Sequence, residues 1–449
     1  FDIAFKDFWR KVFILPLAFP LYVFSFVYLG LFEWSGPVLS TFRSLGLESL
    51  GTLNIKSVFG ISFVFSLALY PYVYLPLRLA LRSIHPHYIY SSRSLGASKL
   101  RTLFYVILPF CFPPLFLGGS LVAMEVLADF GGVSIFNYNT FTTAIYTSWS
   151  GFFSLGVAAR LSLFLLALSF LFLFFEKKIS AQVKEREVVH DQKKMTFELK
   201  RNSQFLILLF LFLIFFLSFL LPLIQLLIWT IQSLSVEWDW NYLTLLTNTF
   251  FFGFVAACVC SFLALMMVFG EGKKRSFLLS FFKGVTLSGY ALPGNIIAVA
   301  VFLFFANFFP QKYVAFGSLL LIYGLCFRFF SVPYRIFRGD SLKLTENLER
   351  ASLTLGRGKF AYFYKVWIPL MKGGIFYGFI YTFLEIIKEM PLTLMLRPTG
   401  RDTLATKIYE LTSEGEWERA SIGALILVML GLIVVFFAQN RESRFVESD

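Results

Sequence analysis

Four acidic side chains set in apolar stretches are the residues best placed to do chemistry. Glu125 and Asp129 stand four positions apart, and adding 260 to each number gives Glu385 and Glu389, again four apart. That spacing puts each pair on one helix face. A carboxylate inside a membrane-spanning helix is disfavoured by about 2.5 to 3.5 kcal/mol, so it faces a polar cavity or a partner. Together the four offer hard oxygen ligands of the kind a hard trivalent cation prefers. In the plainer alternative, Asp129 and Glu389 lie at the outer interface while Glu125 and Glu385 pair with Lys388 or backbone amides. Tyr70, Tyr72 and Tyr74 add phenolic oxygens, suited either to such a cation or to anchoring a span end at the interface.

Other chemistries lack their residues. Three histidines and four cysteines (Cys111, Cys258, Cys260, Cys326) are too few and too scattered for a resident metal or haem centre, and no cofactor is expected. The cysteines all lie in apolar segments and read as buried, inert thiols, since Cys258-x-Cys260 lacks redox spacing. His85-Pro86-His87 could chelate a metal but reads equally as a solvated loop. Neither Gly270-Glu271-Gly272-Lys273 nor Gly356-Arg357-Gly358-Lys359 has the spacing or final hydroxyl of a phosphate-binding loop. No nucleophile and base pairing is readable either.

The elements that must position the carboxylates are marked by a loop that occurs twice. Ser94-Leu95-Gly96-Ala97-Ser98-Lys99 leads to Val106-Ile107-Leu108-Pro109, and Thr354-Leu355-Gly356-Arg357-Gly358-Lys359 leads to Val366-Trp367-Ile368-Pro369. The copies are related by the same offset of 260, without a gap. Each reads as a basic, Gly-broken helical pair running through Pro into a long apolar helix. A duplicated loop implies a duplicated protein.

Composition places that protein in a bilayer. Of 449 residues, 57% are hydrophobic and only 15% charged, with 60 Phe and a mean hydropathy of +0.73. The net charge of +13 comes from short basic loops between apolar runs, which the positive-inside rule explains, and not from a nucleic-acid-binding module.

The reading is all-α and polytopic, with ten spans near 12–32, 57–81, 105–128, 152–175, 205–228, 243–269, 285–309, 314–337, 366–387 and 420–437. The first half covers residues 1–175, a basic cytoplasmic linker 176–204, and the second half 205–449. Both ends face the cytoplasm. Aligning Leu17-Ala18-Phe19-Pro20 with Tyr290-Ala291-Leu292-Pro293 makes the first span the counterpart of the seventh. The 4 + 6 arrangement then implies two further helices before Phe1 and a complete 6 + 6 design. Six spans separate the loops, so both face one side. The halves form a parallel repeat about an axis along the membrane normal, expected to bring the two carboxylate faces together around a central pathway.

The loops resemble the EAA loops of permease subunits in binding-protein-dependent ABC importers, with Gly and Pro at the family spacing in both copies. The acidic start is replaced by Tyr90-Ser91-Ser92 and Arg350-Ala351-Ser352. Two halves in one chain, together with Pro16-Leu17-Ala18-Phe19-Pro20, Leu69-Tyr70-Pro71-Tyr72 and Met124-Glu125-Val126-Leu127-Ala128-Asp129-Phe130-Gly131, resemble the ferric-iron permease branch. Related fused permeases carry thiamine, polyamines or phosphonates. The resemblance implies a bacterial inner-membrane importer with two cytosolic ATPase subunits, an extracytoplasmic substrate-binding protein and surrounding lipid. It assigns ATPase docking to Ser92, Arg93, Gly96, Ala97 and Pro109 and to Ala351, Ser352, Gly356, Arg357 and Pro369. The four carboxylates would then line the translocation path near its external gate. A secondary carrier working without an ATPase is the rival reading.

Overall fold

The computed structural model describes residues 5–47, 54–184, 201–237, 240–271, 283–284, 286–309, 316–342, 344, 348, 351–352, 354–356 and 358–447. Among these the chain is helical, with no strand. An apolar chain in lipid must satisfy its backbone within each segment, which helices do. The first elements are α1 (Lys6–Val12), a 3-10 turn (Leu15–Ala18), α2 (Leu21–Leu31), α3 (Pro37–Ser44), α4 (Val58–Ser83), α5 (Pro86–Ser94) and α6 (Lys99–Thr102). A π turn (Leu103–Ile107) leads into α7 (Leu108–Ala128), then α8 (Gly131–Ile135), α9 (Phe141–Tyr146) and α10 (Leu155–Lys184). Next come α11 (Arg201–Phe215), a π turn (Phe216–Leu220), α12 (Leu221–Glu237), α13 (Trp240–Gly270), a 3-10 turn (Gly289–Ala291) and α14 (Gly294–Phe308). The rest is α15 (Gly317–Phe329), α16 (Ser331–Ser341), α17 (Lys359–Tyr362), a π turn (Phe363–Trp367), α18 (Ile368–Ile387), α19 (Pro391–Leu396), α20 (Leu404–Ser413) and α21 (Trp417–Glu447).

Seven helices among the described residues are long and apolar enough to cross a membrane, or nine if two bent pairs each count as one, where hydropathy suggests ten. The difference lies in prolines. The expected span 12–32 is broken by 91° between Ala18 and Leu21. Pro20 takes extended backbone (φ −58°, ψ 141°) and caps α2, because its ring and missing N–H cannot continue the preceding turn. Pro293 repeats this (φ −54°, ψ 138°) before α14, whose 15 residues are short for a crossing. The expected span 314–337 bends by 43° between α15 and α16.

The chain forms two compact units that cut across the sequence halves: residues 1–139 with 164–228, and residues 140–163 with 229–449. In the first unit α2 is buried from Tyr22 through Leu31. Helices α4 and α7 approach closely at Gly118, where a Cβ would stand 2.6 Å from the Val73 Cα. The segment leading into the second half packs here, with Tyr28 Oη donating to the Leu217 carbonyl at 2.6 Å and the rings of Phe19 and Phe219 5.8 Å apart.

In the second unit α13 lies over α16 and α18, with Val268, Tyr334, Phe337, Tyr362, Phe363, Trp367 and Met371 in one buried cluster. Gly378, the repeat partner of Gly118, has the same function: a Cβ there would lie 2.5 Å from the Phe337 ring. Residues 140–163 of the first half are held in this unit. The buried Asn295 amide donates to the Thr142 carbonyl at 2.8 Å, and Trp149 packs edge-on to Phe302.

Candidate functional site

Among the described residues the two loops share their glycine turn. In the first copy α5 ends at Gly96, whose φ of 81° is left-handed. The Ala97 N–H reaches back to the Ser92 carbonyl at 3.1 Å and the Gly96 N–H to the Arg93 carbonyl at 3.0 Å. This is the double closure that a left-handed glycine permits at a helix end. Arg93 Nη1 donates to the Ala97 carbonyl at 3.0 Å, and the Ser92 and Thr102 hydroxyls meet at 3.0 Å, so Ser92, Arg93 and Ala97 build the turn itself. In the second copy Gly356 has φ 71° and the Leu355 N–H bonds the Ala351 carbonyl at 3.1 Å. Ser352 is buried beside it, while Arg357 lies outside the described residues.

The correspondence continues beyond the turns. Helices α6 and α17 each run into a five-residue π turn at the same offset, and Pro109 and Pro369 each stand in the first turn of the long helix that follows. The copies differ in their caps. Ser98 Oγ accepts the Arg101 N–H at 3.2 Å, whereas Gly358 offers no side chain. They differ also in what lies behind them: Phe363 is buried under α13, while its counterpart Leu103 is 43% exposed.

Among the exposed residues, both copies share three apolar positions set among basic ones. Leu95, Leu100 and Phe104 are 88%, 68% and 58% exposed, and Leu355, Phe360 and Tyr364 at the same offset are 80%, 75% and 57% exposed. Scattered exposed apolar residues are ordinary; here the same triad recurs at the same offset in both copies.

The carboxylates fall into two kinds. Asp129 accepts the Gly132 N–H at 3.3 Å and the Val133 N–H at 2.9 Å, and Glu389 accepts the Leu392 N–H at 2.9 Å. Both satisfy the unpaired donors at the start of a short helix, α8 or α19. Glu389 also stands 3.6 Å from Arg328 Nη1. Glu125 is half-buried on α7. Glu385 Oε1 lies 3.5 Å from Lys388 Nζ, and Tyr290 Oη donates to its Oε2 at 3.4 Å.

Three of the remaining candidates make packing or capping contacts. Tyr70 and Tyr74 pack against Phe13 with ring centroids 6.1 and 5.7 Å apart. His85 Nδ1 accepts the His87 N–H at 3.2 Å and caps α5. Cys258 and Cys326 correct the expectation of four buried thiols: Cys258 is exposed along α13 and Cys326 is half-buried, while Cys111 and Cys260 are buried. Sequence reading missed the capping boxes Thr140/Thr143 and Thr403/Thr406, which open α9 and α20. Their signal was present as Thr-x-x-Thr, with Thr where Glu or Gln is usual.

The chain is a multi-pass helical protein carrying a loop whose glycine turn occurs twice. Residues 3–184 match the family of binding-protein-dependent transport system inner membrane components. Over 443 residues the chain is 28% identical to an Fe(3+)-transport system permease protein of Haemophilus influenzae, covering 97% of this chain and 83% of that one. It is 22% identical over 412 residues to a ferric transport system permease protein of Actinobacillus pleuropneumoniae, of which it spans 58%. A spermidine/putrescine transport system permease protein homolog of Mycoplasma genitalium matches 45% of the chain at 26% identity. The chain is thus a multi-pass helical protein similar to ferric-iron transport permeases.

Proposed function

We propose that this chain is the membrane subunit of an ATP-driven importer of ferric iron, coupled to two cytosolic ATPase subunits through residues 90–109 and 350–369. ATP-driven closure of the ATPases moves the loops and alternates access of the cargo path. The termini face the cytoplasm, and a soluble binding protein delivers cargo from the other side. The repeat halves, 1–175 and 205–449 about the linker 176–204, are the functional ones. The observation that carries this reading is the repeated exposed triad, Leu95/Leu100/Phe104 and Leu355/Phe360/Tyr364, which burial against another protein would stabilise.

Glu125 and Glu385 line the cargo path, and Asp129 and Glu389 shape the turns beneath them. Iron as cargo rests on the ferric relatives and on the preference of a hard cation for carboxylate oxygen. Polyamine is the second cargo reading, favoured by the similarity to the spermidine/putrescine permease homolog. Carboxylates would serve that cation too.

The docking claim is tested by placing cysteines at Leu95 or Leu355 and attempting disulfide capture of single-cysteine ATPase subunits in membranes. Capture from both positions, changing on addition of ATP, is expected. Failure at both positions in complexes that hydrolyse ATP normally would remove the claim.

A further inference from the structure

The second loop is approached by α15 and α16, which meet at the 43° bend, and it is left by α18. Arg328 is the penultimate residue of α15, at that bend. Glu389 lies just past the far end of α18, before α19. Their side chains are only 13% and 5% exposed and stand 3.6 Å apart. One ion pair therefore joins the arm entering the loop to the end of the arm leaving it. Gly294, the first residue of α14, is fitted to the pair: a Cβ there would lie 2.5 Å from Arg328 Nη1 and 2.6 Å from Glu389 Oε1.

The pair is strained for partners. Arg328 Nε and Nη1 are buried and make no hydrogen bond among the described residues, and 3.6 Å is an ionic contact outside hydrogen-bonding range. Glu389 Oε1 meanwhile holds the Leu392 N–H that begins α19. A buried guanidinium with unused donors is costly, and a small shift of α15 toward the α18–α19 turn would satisfy it. The charge pair is thus the contact through which the two arms meet. Asp129 stands at the position of Glu389, but the residue 260 before Arg328 is Ala68.

We infer that Arg328 is a positioning residue that carries movement of the second docking loop to the α18–α19 turn, making coupling in this half depend on the Arg328–Glu389 pair. The inference rests on the ATP-driven reading above, and Arg328 itself contacts no cargo in it.

The test uses the full complex in proteoliposomes and reads cargo moved per ATP hydrolysed, together with ATPase subunits retained on purification. Arg328→Met, and the double variant Arg328→Met with Glu389→Gln that avoids an orphaned carboxylate, should assemble and hydrolyse ATP. Each should move at least about 5-fold less cargo per ATP, the scale of a modest coupling energy. Arg328→Lys, which keeps the charge, should recover part of the loss. An unchanged ratio in assembled variants would overturn the inference, as would uptake, hydrolysis and assembly falling in proportion in all three. If the unaltered complex moved no cargo with ATP, the importer reading would fail instead.

Discussion

Gly96 and Gly356, 260 positions apart, hold the same left-handed backbone, with φ of 81° and 71°. No atom lies within 4 Å of a Cβ added at either site, so the need for glycine is conformational, not spatial. A side chain there costs about 1 to 2 kcal/mol in left-handed backbone, more if β-branched. Gly96→Val and Gly356→Val should leave the membrane domain folded but sharply reduce stimulated ATP hydrolysis by the assembled complex. Asn at either position should retain most of it, because Asn tolerates this conformation. The measurement is hydrolysis in the presence of the loaded binding protein; full stimulation in both Val variants would speak against the loops as couplers.

Glu125→Gln combined with Glu385→Gln should lower cargo uptake at least about tenfold, the effect of roughly 1.4 kcal/mol, while ATPase subunits still co-purify. Gln keeps the size of Glu and accepts hydrogen bonds, so the loss would report charge. Normal uptake by the double variant would remove these residues from the path.

Just past the end of α13, outside the spans, Glu271 accepts hydrogen bonds from Lys283 and Tyr334, with Arg338 Nε 3.5 Å from its Oε2. Burial alone would raise the Glu271 carboxyl, but the bonds from Lys283 and Tyr334 and the Arg338 charge hold it below its ordinary value. A carboxyl whose folded value is depressed contributes stability above its unfolded value near 4.5, and loses that contribution as pH falls through the folded value. Melting of the purified protein should therefore weaken between about pH 5 and pH 3 more in the native sequence than in Glu271→Gln. Parallel curves would show that the cluster adds nothing.

The repeat was legible in the sequence because glycine in left-handed backbone and proline in a first helical turn have few substitutes, so Gly96/Gly356 and Pro109/Pro369 stay in register. The alignment of Pro20 with Pro293 was legible for the same reason, and both cap buried helices. Hydropathy did not record what those prolines do, since an apolar run reads alike whether straight or bent by 91°. Nor could it show that residues 140–163 and 164–228 pack apart from their neighbours in sequence, because lipid-facing and protein-facing apolar surfaces have one composition. At the carboxylates, spacing predicted one helix face for each pair, but α7 and α18 end at Ala128 and Ile387, so Asp129 and Glu389 lie past the helix and accept the next helix's N–H groups.

The central claim is that this membrane subunit moves cargo only when ATPases are engaged beneath it. Its most direct test is uptake of radiolabelled Fe(III), presented by the loaded binding protein, into proteoliposomes holding this chain with or without ATPase subunits and internal ATP. The account predicts uptake only when both ATPase and ATP are present. Equal uptake by the chain alone, driven by an ion gradient, would contradict it and make the protein a secondary carrier.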